Sequence, residues 1–203
     1  TAVMSFGSIR STNKLQLDNI QVTTRIASQS ISSNLHLLTE RIYNISTDAE
    51  LTDDSLSKKD KASYLQDFEQ EIEFVWLSVY DADGKKLYGD KTAPDSIADT
   101  KFYSQLAETA NTVIGEPHYD QDVLQLCVGA PLKANDEVCG YVIGSYKYDL
   151  LNDVLSMLIL GDTGSACIIN EKGTIIADQD EKNIADQVSI YDKNSSSKNK
   201  EIY

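Results

Sequence analysis

The sequence predicts an α+β fold: a long N-terminal helix, an antiparallel five-stranded sheet with helices on one side, and the first hairpin of an incomplete second module. Three observations support this prediction. Helical periodicity runs without Gly or Pro from Ser11 to Ser46, and hairpin signals follow between residues 74 and 148. One hairpin pattern then recurs 89 residues later, from Gly84 to Gly173.

The N-terminal segment has the pattern of a helix of roughly 36 residues. One stripe repeats every seven residues, and a second stripe lies beside it: Leu17, Thr24, Ile31, Leu38 and Ile45, then Ile20, Ala27, Leu35 and Ile42. Such stripes suit either a partner chain or the sheet of the same chain. Because Thr24 and Asn34 interrupt them, the sequence predicts only a weak homodimer through this helix.

A second helix is predicted over Lys58–Glu73, after which the pattern changes to strands. The runs FVWLSVY and KKLYGD flank the turn signal DADG and predict a hairpin. KFYSQLAETA predicts a short helix, and TVIGEPHY, DVLQLCVGAPL and EVCGYVIGSYKY predict three more strands. The last two strands are nearly continuous in apolar residues, as expected of central strands covered on both faces. LLNDVLSMLIL, residues 150–160, predicts a helix that leaves this sheet.

A repeat near the end of the chain predicts a second module. With Gly173 aligned on Gly84, CIINEKGTIIADQ lies over SVYDADGKKLYGD, so that strand, polar turn and strand coincide. A lone hairpin is marginal in water. We therefore expect a truncated copy of the first fold, with its tail over 189–203 poorly packed.

Composition and charge limit the kinds of molecule that the chain is expected to bind. The chain has 203 residues, and its 18 basic and 32 acidic residues give a net charge of −14. Nucleic acid and anionic membrane surfaces are disfavoured, because phosphate binding needs clustered Lys and Arg; the acidity also serves solubility. Cys127, Cys139 and Cys167 lie in apolar runs without metal-type spacing, which predicts buried free thiols.

Motifs of catalysis are missing from the sequence. It contains no G-x-G-x-x-G, P-loop or G-x-S-x-G pattern, and His36 and His118 lack partners at metal-ligand spacing. DADG resembles the start of a calcium loop but lacks the closing Glu. The sequence therefore predicts no enzyme, no metal and no cofactor.

Amphipathic aromatic residues gather near the predicted sheet. A flat apolar ring with one hydroxyl suits a small-molecule pocket, although each ring also suits a half-buried sheet position. The residues that we expect to converge from one side of the sheet are Phe102, Tyr103, Tyr119, Asp120, Tyr146 and Tyr148.

These residues lie in DTKFYSQLAETANTVIGEPHYD and VLQLCVGAPLKANDEVCGYVIGSYKYDLL, which resemble the double Cache sensor domain of bacterial transmembrane receptors. The shared features are an aromatic-Tyr helix start, a strand ending in Pro-x-Tyr, and a hairpin with Pro in one strand and a Gly-Tyr-Val-Ile-Gly-like run in the other. GDTGSACIINEKGTIIADQDEKNI resembles the start of the family's membrane-proximal module. Together these segments extend the resemblance to nearly the whole chain.

The resemblance implies two PAS-like modules stacked along the long helix, which rises from a first transmembrane helix. It predicts a long helix over 1–50, a membrane-distal Cache module over 51–157, and the truncated start of a membrane-proximal module over 158–203. The distal module of the family binds a small ligand, and the proximal module leads to a second transmembrane helix and a cytoplasmic output.

The chain departs from family members that bind free amino acids. Those members carry Arg for the ligand carboxylate where this sequence has Thr100, followed by Lys101, and Asp for the ammonium where it has Tyr146. Neither Thr nor Lys reproduces the fork of a guanidinium. We therefore add Thr100 to the candidate site and expect an amine or a neutral polar metabolite as ligand, with Asp120 and the aromatic rings around a cation.

The function implied by the resemblance is small-molecule sensing on the extracellular side of the bacterial membrane. A methyl-accepting chemotaxis protein is the leading parent, and a histidine kinase or a diguanylate cyclase is the close alternative. A ligand-free structural or protein-recruiting module, with the aromatic residues as core, is the alternative of another class.

Overall fold

The computed structural model describes residues 2–71, 74–120, 123–148, 154–155, 166–178 and 180–191, with side chains from residue 18 onward except 69–71. The chain forms two compact units: one contains Leu35–Tyr148, and the other contains residues 1–34 and 149–203. The predicted boundaries at residues 50 and 157 stay predictions. None of the helices in the described ranges combines the length and the apolar character that crossing a bilayer requires.

Helix α1 spans Ala2–Ser46 and ends where the sequence predicts. It begins nine residues before the predicted start and passes through Gly7, because a single Gly costs a helix only about 1 kcal/mol. The predicted stripes are largely correct toward the end of the helix, where Leu38, Ile42 and Ile45 are buried.

Two helices follow α1. The short helix α2, Ala49–Thr52, is absent from the sequence prediction; the Asp48 side chain caps it by accepting from the Glu50 N–H at 3.0 Å. Helix α3, Lys58–Glu71, confirms the predicted second helix. Ser57 and Asp60 exchange side-chain to backbone hydrogen bonds at its start, which fixes the first turn.

The predicted strands form one antiparallel sheet. Its strands are β1 (Phe74–Asp81), β2 (Lys86–Gly89), β3 (Val113–Ile114), β4 (His118–Asp120), β5 (Val123–Ala134) and β6 (Glu137–Lys147). The order across the sheet is β2-β1-β6-β5-β3, and β4 also pairs with β5. The predicted five positions are thus present, but the strand expected over TVIGEPHY is divided because Pro117 has no N–H to donate.

The two faces of this sheet are covered by different helices, whereas the sequence analysis expected helices on one side. A Cβ added to Gly129 would lie 2.8 Å from Leu106 of α4, which spans Lys101–Thr109. A Cβ added to Gly144 would lie 2.7 Å from Ile42 of α1. Since Gly129 pairs with Ile143, the neighbour of Gly144, the two glycines face opposite ways. We call these sides the α4 face and the α1 face.

The second unit contains the predicted repeat of the hairpin turn. Strands β7 (Cys167–Ile169) and β8 (Ile175–Asp178) form a separate two-stranded sheet, followed by helix α5 (Glu181–Ala185). Asn170 Oδ1 accepts from the N–H groups two and four residues on, as Asp81 Oδ1 does in the first hairpin. Both turns end on a Gly with positive φ, +80° at Gly84 and +76° at Gly173.

Parts of two predictions lie outside the described residues. Of the helix expected over 150–160, only Val154 and Leu155 are described; they are helical and buried. Of the tail expected to pack poorly, the described part packs on the hairpin, since the Ile190 N–H donates to the Gly173 carbonyl at 2.9 Å. Residues 192–203 lie outside the described part.

Candidate functional site

The start of α4 is built by Thr100, which acts as the helix cap. Its hydroxyl oxygen accepts from the Tyr103 N–H at 3.1 Å, and the hydroxyl donates to the Ile97 carbonyl at 2.7 Å. The next residue, Lys101, forms a salt bridge with Glu116 at 2.6 Å between Nζ and Oε1. This end of α4 is therefore fixed to the loop between β3 and β4, and Lys101 already has an anionic partner.

Phe102 and Tyr103 hold α4 against the sheet. A Cβ added to Gly129 would lie 2.9 Å from Phe102 Cζ, so the ring occupies the space that this glycine leaves free. The Tyr103 hydroxyl donates to the Ala82 carbonyl at 2.5 Å, and its ring meets Tyr141 edge-on with 5.8 Å between centroids. Both predicted residues thus lie on the α4 face.

Strand β4 presents His118 and Asp120 on the α4 face and Tyr119 on the other. His118 pairs with Gln125, and its Nε2 lies 3.9 Å from the Sγ of Cys127. Tyr119 pairs with Leu124 and is 42% exposed. Side chains alternate along a strand, so Tyr119 and Asp120 cannot point to the same side. The expectation that they converge is wrong, and His118 takes the place of Tyr119.

A buried polar network crosses the α4 face between β5 and β6. The Ser145 hydroxyl donates to Gln125 Oε1 at 2.5 Å, and Gln125 Nε2 donates to the Asp120 carbonyl oxygen at 3.2 Å. Ser145 and Gln125 are 0% and 2% exposed. Most polar side chains this deeply buried have hydrogen-bond partners, and these two residues follow that rule.

Two further polar atoms on this face lack hydrogen-bond partners among the described residues. They are Nε1 of Trp76 and Oγ of Ser78, which lie on the same side of β1 as the buried Tyr80. Trp76 is opposite Ser145, which is in turn opposite Cys127, so the indole continues the row of polar side chains. An unsatisfied buried donor costs about 1–3 kcal/mol, a cost that a bound acceptor would remove.

Tyr146 and Tyr148 do not belong to this arrangement. Tyr146 follows Ser145 and therefore points to the α1 face, where its ring contacts Phe74 with 4.7 Å between centroids. Phe74 in turn lies beside Ile42 of α1 over Gly144. Tyr148, two residues on, is also buried, and neither hydroxyl has a partner among the described residues. These tyrosines and the pair Phe102 and Tyr103 lie on opposite faces of the sheet, so the expectation that they converge is wrong.

Burial sets the protonation of the thiol in this site. It raises the pKa of Cys127 to about 12; the neighbouring Ser145 hydroxyl acts in the opposite direction, and the Asp120 carboxylate adds to the rise. Cys127 is therefore a neutral thiol at physiological pH. Cys139 and Cys167 are free but exposed, which corrects the expectation that all three are buried.

We expect the stability of the domain to fall as the pH rises above 9. In the unfolded chain Cys127 ionises near its ordinary pKa of 9.0, whereas the folded chain keeps the proton until about pH 12. Between these values the unfolded state binds fewer protons, so the free energy of unfolding decreases, by about 1 kcal/mol at pH 10 for this thiol. Burial also raises the pKa of Tyr80 and Tyr148, which extends the decline.

Urea unfolding under reducing conditions, measured from pH 7 to pH 10, checks this expectation. The Cys127→Ala variant should show a shallower decline than the parent, and Cys139→Ala, which alters an exposed thiol, should keep the parent's slope. Equal slopes in all three proteins would contradict the assignment to Cys127.

The site, like the rest of the described ranges, holds no group of three His, Cys, Asp or Glu side chains that could bind a metal ion. Its polar groups are a carboxylate, an imidazole, an amide, a hydroxyl, a thiol and an indole, placed beside aromatic rings. This set is suited to hydrogen bonding and to holding a small polar molecule.

Nearly the whole chain matches the model of one known protein family. A family model described as Cache domain matches residues 8–203. The chain belongs to the Cache domain family. No curated protein sequence matches this Cache domain at a significant level.

Solved structures share its fold. The ligand-binding domain of the Pseudomonas aeruginosa PAO1 amino acid chemoreceptor PctB, in complex with L-Gln, is 18% identical, with a TM-score of 0.71 over 85% of this chain and 72% of that chain. The ligand-binding domain of the Pseudomonas fluorescens chemoreceptor CtaA with L-serine is 19% identical, with a TM-score of 0.67 over 82% and 72%. That of the P. aeruginosa PAO1 chemoreceptor PctC with GABA is 16% identical, with a TM-score of 0.61 over 83% and 74%.

In this Cache domain, the α4-face site brings together part of the predicted set and several residues that the prediction omits. Thr100, Phe102, Tyr103 and Asp120 lie on the α4 face, while Tyr119, Tyr146 and Tyr148 do not. The polar residues omitted from the prediction are Trp76, His118, Gln125, Cys127 and Ser145. The alternation of β4 was sufficient to find His118, because it lies two residues before Asp120.

Proposed function

We propose that this Cache domain is the extracellular small-molecule-sensing part of a bacterial transmembrane receptor, with a methyl-accepting chemotaxis protein as the parent. The family match and the shared fold with ligand-binding domains of chemoreceptors support this function. The observation that carries it is the α4-face site, where buried polar groups, and donors without partners among the described residues, lie beside aromatic rings. A histidine kinase or a diguanylate cyclase remains the alternative parent.

We propose an amine or a neutral polar metabolite as the ligand. Asp120 is half-buried on the α4 face, and its carboxylate suits a cationic amine. Thr100 is engaged as a cap and Lys101 pairs with Glu116, so neither offers a free partner for a ligand carboxylate. Lys147 pairs with Gln125 on the same face and is exposed. Because its ammonium also suits a carboxylate, ligands with and without a carboxylate have to be compared.

Matched ligand pairs test this proposal by thermal melting of the full chain. Ethanolamine against serine, and butylamine against GABA, differ chiefly in the carboxylate, while glycerol represents neutral ligands. A ligand that binds the folded state raises the melting temperature. We expect ethanolamine, butylamine or glycerol to give a rise. A rise with serine and GABA alone would contradict the ligand class, and no rise with any compound of a broad metabolite panel would contradict the sensing function.

The signal would pass through β6. Ser145 belongs to the polar network on the α4 face, and the next residue, Tyr146, packs with Phe74 beneath α1. A ligand that binds one arrangement of β6 better than another shifts the population of the two arrangements. A displacement of β6 would reach α1 through Ile42, which lies over Gly144 of this strand.

We also propose membrane anchoring of the parent and a weak homodimer along α1. The exposed fractions of Val22 and Ile26, one turn apart on this helix, are 59% and 61%. Apolar side chains at this spacing form one side of a helix that suits a partner helix.

A protein-recruiting module without a small ligand is the second candidate function. The α4 face is well filled by its own side chains, with Trp76 and Tyr80 only 2% and 0% exposed. The melting experiment separates the two candidates, because such a module has no differential affinity for metabolites.

A further inference from the structure

A cavity of about 270 Å³ lies in the Leu35–Tyr148 unit, away from the α4-face site. It forms where the last turn of α1, the residues that follow α4 and the second half of β5 come together. Small-molecule pockets begin at about 300 Å³. The space therefore suits a compound of only a few carbon atoms.

This cavity is separate from the polar network. Lys133 lines it, whereas Asp120 pairs with Val123 at the other end of β5. Ten residues separate the two points, which is about 33 Å along a strand. None of the residues proposed above for ligand sensing lines the cavity.

The lining is about half polar and carries a single charge. Asn111 and Thr112 contribute polar side chains, as do Tyr43 and Ser46 of the last turn of α1 and Thr47, which follows it. The Ser46 and Thr47 hydroxyls donate to carbonyls of α1, at 2.8 and 3.0 Å. Donors toward an occupant therefore come from the other polar lining residues, chiefly Asn111, Thr112 and Lys133. Lys133 is the only charged lining residue and has no salt-bridge partner in the described part of the chain.

The positive charge of Lys133 contrasts with the acidic composition of the chain. The chain carries 32 acidic residues against 18 basic ones, yet no carboxylate lines this cavity. A positive group in a partly enclosed polar space attracts a small anion. A carboxylate matches the ammonium of Lys133 and the amide of Asn111.

Edge protection explains only part of these observations. Beyond Gly129, β5 has no strand partner on its outer edge among the described residues, and Pro and Lys are the residues that blunt such edges. This accounts for Pro131 and Lys133. It does not account for the partly enclosed space or for Asn111 and Thr112 in its lining.

We propose that this cavity is a second binding site, which takes a small organic carboxylate. Lys133 pairs with the carboxylate, Asn111 and Thr112 bond its other polar atoms, and the Tyr43 ring covers its apolar part. The proposal does not rest on the sensing function, because it concerns residues outside the α4-face site.

An NMR titration of the full chain with sodium succinate and sodium acetate tests this site, with sodium chloride at equal ionic strength as reference. We expect saturable shifts of the Asn111, Thr112 and Thr47 amides with at least one carboxylate and not with chloride. Lys133→Met keeps the apolar stem and removes the charge, and it should weaken binding by about tenfold or more. Lys91→Met changes the net charge equally at an exposed position outside the cavity and should leave binding unchanged.

Three outcomes would overturn the proposal. They are the absence of saturable shifts at the three amides, equal shifts with chloride, or unchanged affinity in Lys133→Met. Overlay of the remaining amide signals shows whether a variant is folded, and Asn111→Ala replaces Lys133→Met if the latter is not.

Discussion

Replacing Gly144 with alanine lowers the free energy of unfolding by about 1–3 kcal/mol, and replacing it with valine lowers it further. The reason is the close cover of the α1 face, where an added Cβ would lie 2.5 Å from Phe74 Cε1 and 2.7 Å from Ile42 Cδ1. Phe74 is held in place by the Tyr146 ring, and Ile42 of α1 is fully buried. Urea or guanidinium unfolding measures the effect.

The control for this substitution is Gly115→Ala. There an added Cβ meets the Phe102 ring at 3.0 Å and the Cys127 carbonyl at 3.4 Å, so we expect a smaller loss. The cause is tested by Ile42→Ala, which makes space beneath α1: the penalty of Gly144→Ala should shrink in that background. An equal penalty in both backgrounds would show that α1 does not cover Gly144 as described.

Replacing Asp120 with asparagine weakens ligand binding by roughly 10- to 100-fold, because a hydrogen bond to a charged group contributes about 1.5–3 kcal/mol. The substitution keeps the shape of the side chain and the backbone carbonyl that accepts from Gln125. Isothermal titration calorimetry with the compound that raises the melting temperature most, provided that it is an amine, gives the affinity.

Asp136→Asn is the matched control for this loss of charge. Asp136 lies in the turn between β5 and β6 with φ of +65°, a conformation that Asn adopts as readily as Asp. We expect its affinity to equal that of the parent. If Asp120→Asn also keeps the parental affinity while folding normally, Asp120 does not hold the ligand.

The elements of the fold were largely predictable from local patterns. The turns at Gly84 and Gly173 were found because polar residues and a Gly interrupt apolar strands at a fixed spacing, and both were confirmed. Helix α2 was not found, since four residues capped by Asp48 leave no periodic signal. The third predicted strand is divided at Pro117, because proline has no N–H to donate to a neighbouring strand.

The candidate site was harder to predict than the fold. In central strands both faces are apolar, so the sequence does not say which face meets which helix, and Tyr146 was placed on the wrong one. Tyr119 and Asp120 cannot both face the site, because side chains alternate along a strand, and the same alternation places His118 on the side of Asp120. The sequence shows Trp76 in a predicted strand, but only the fold shows that its Nε1 is buried beside a polar network.

The indole N–H signal of Trp76 offers the most direct test of ligand binding on the α4 face. Trp76 is the only tryptophan in the chain, so its Nε1–H signal in a ¹H–¹⁵N spectrum needs no further assignment. If the ligand binds beside this unpaired donor, the signal shifts during titration and saturates at the concentration that saturates the rise in melting temperature. An indole signal that stays in place while the ligand fully stabilises the protein would contradict the location of the site.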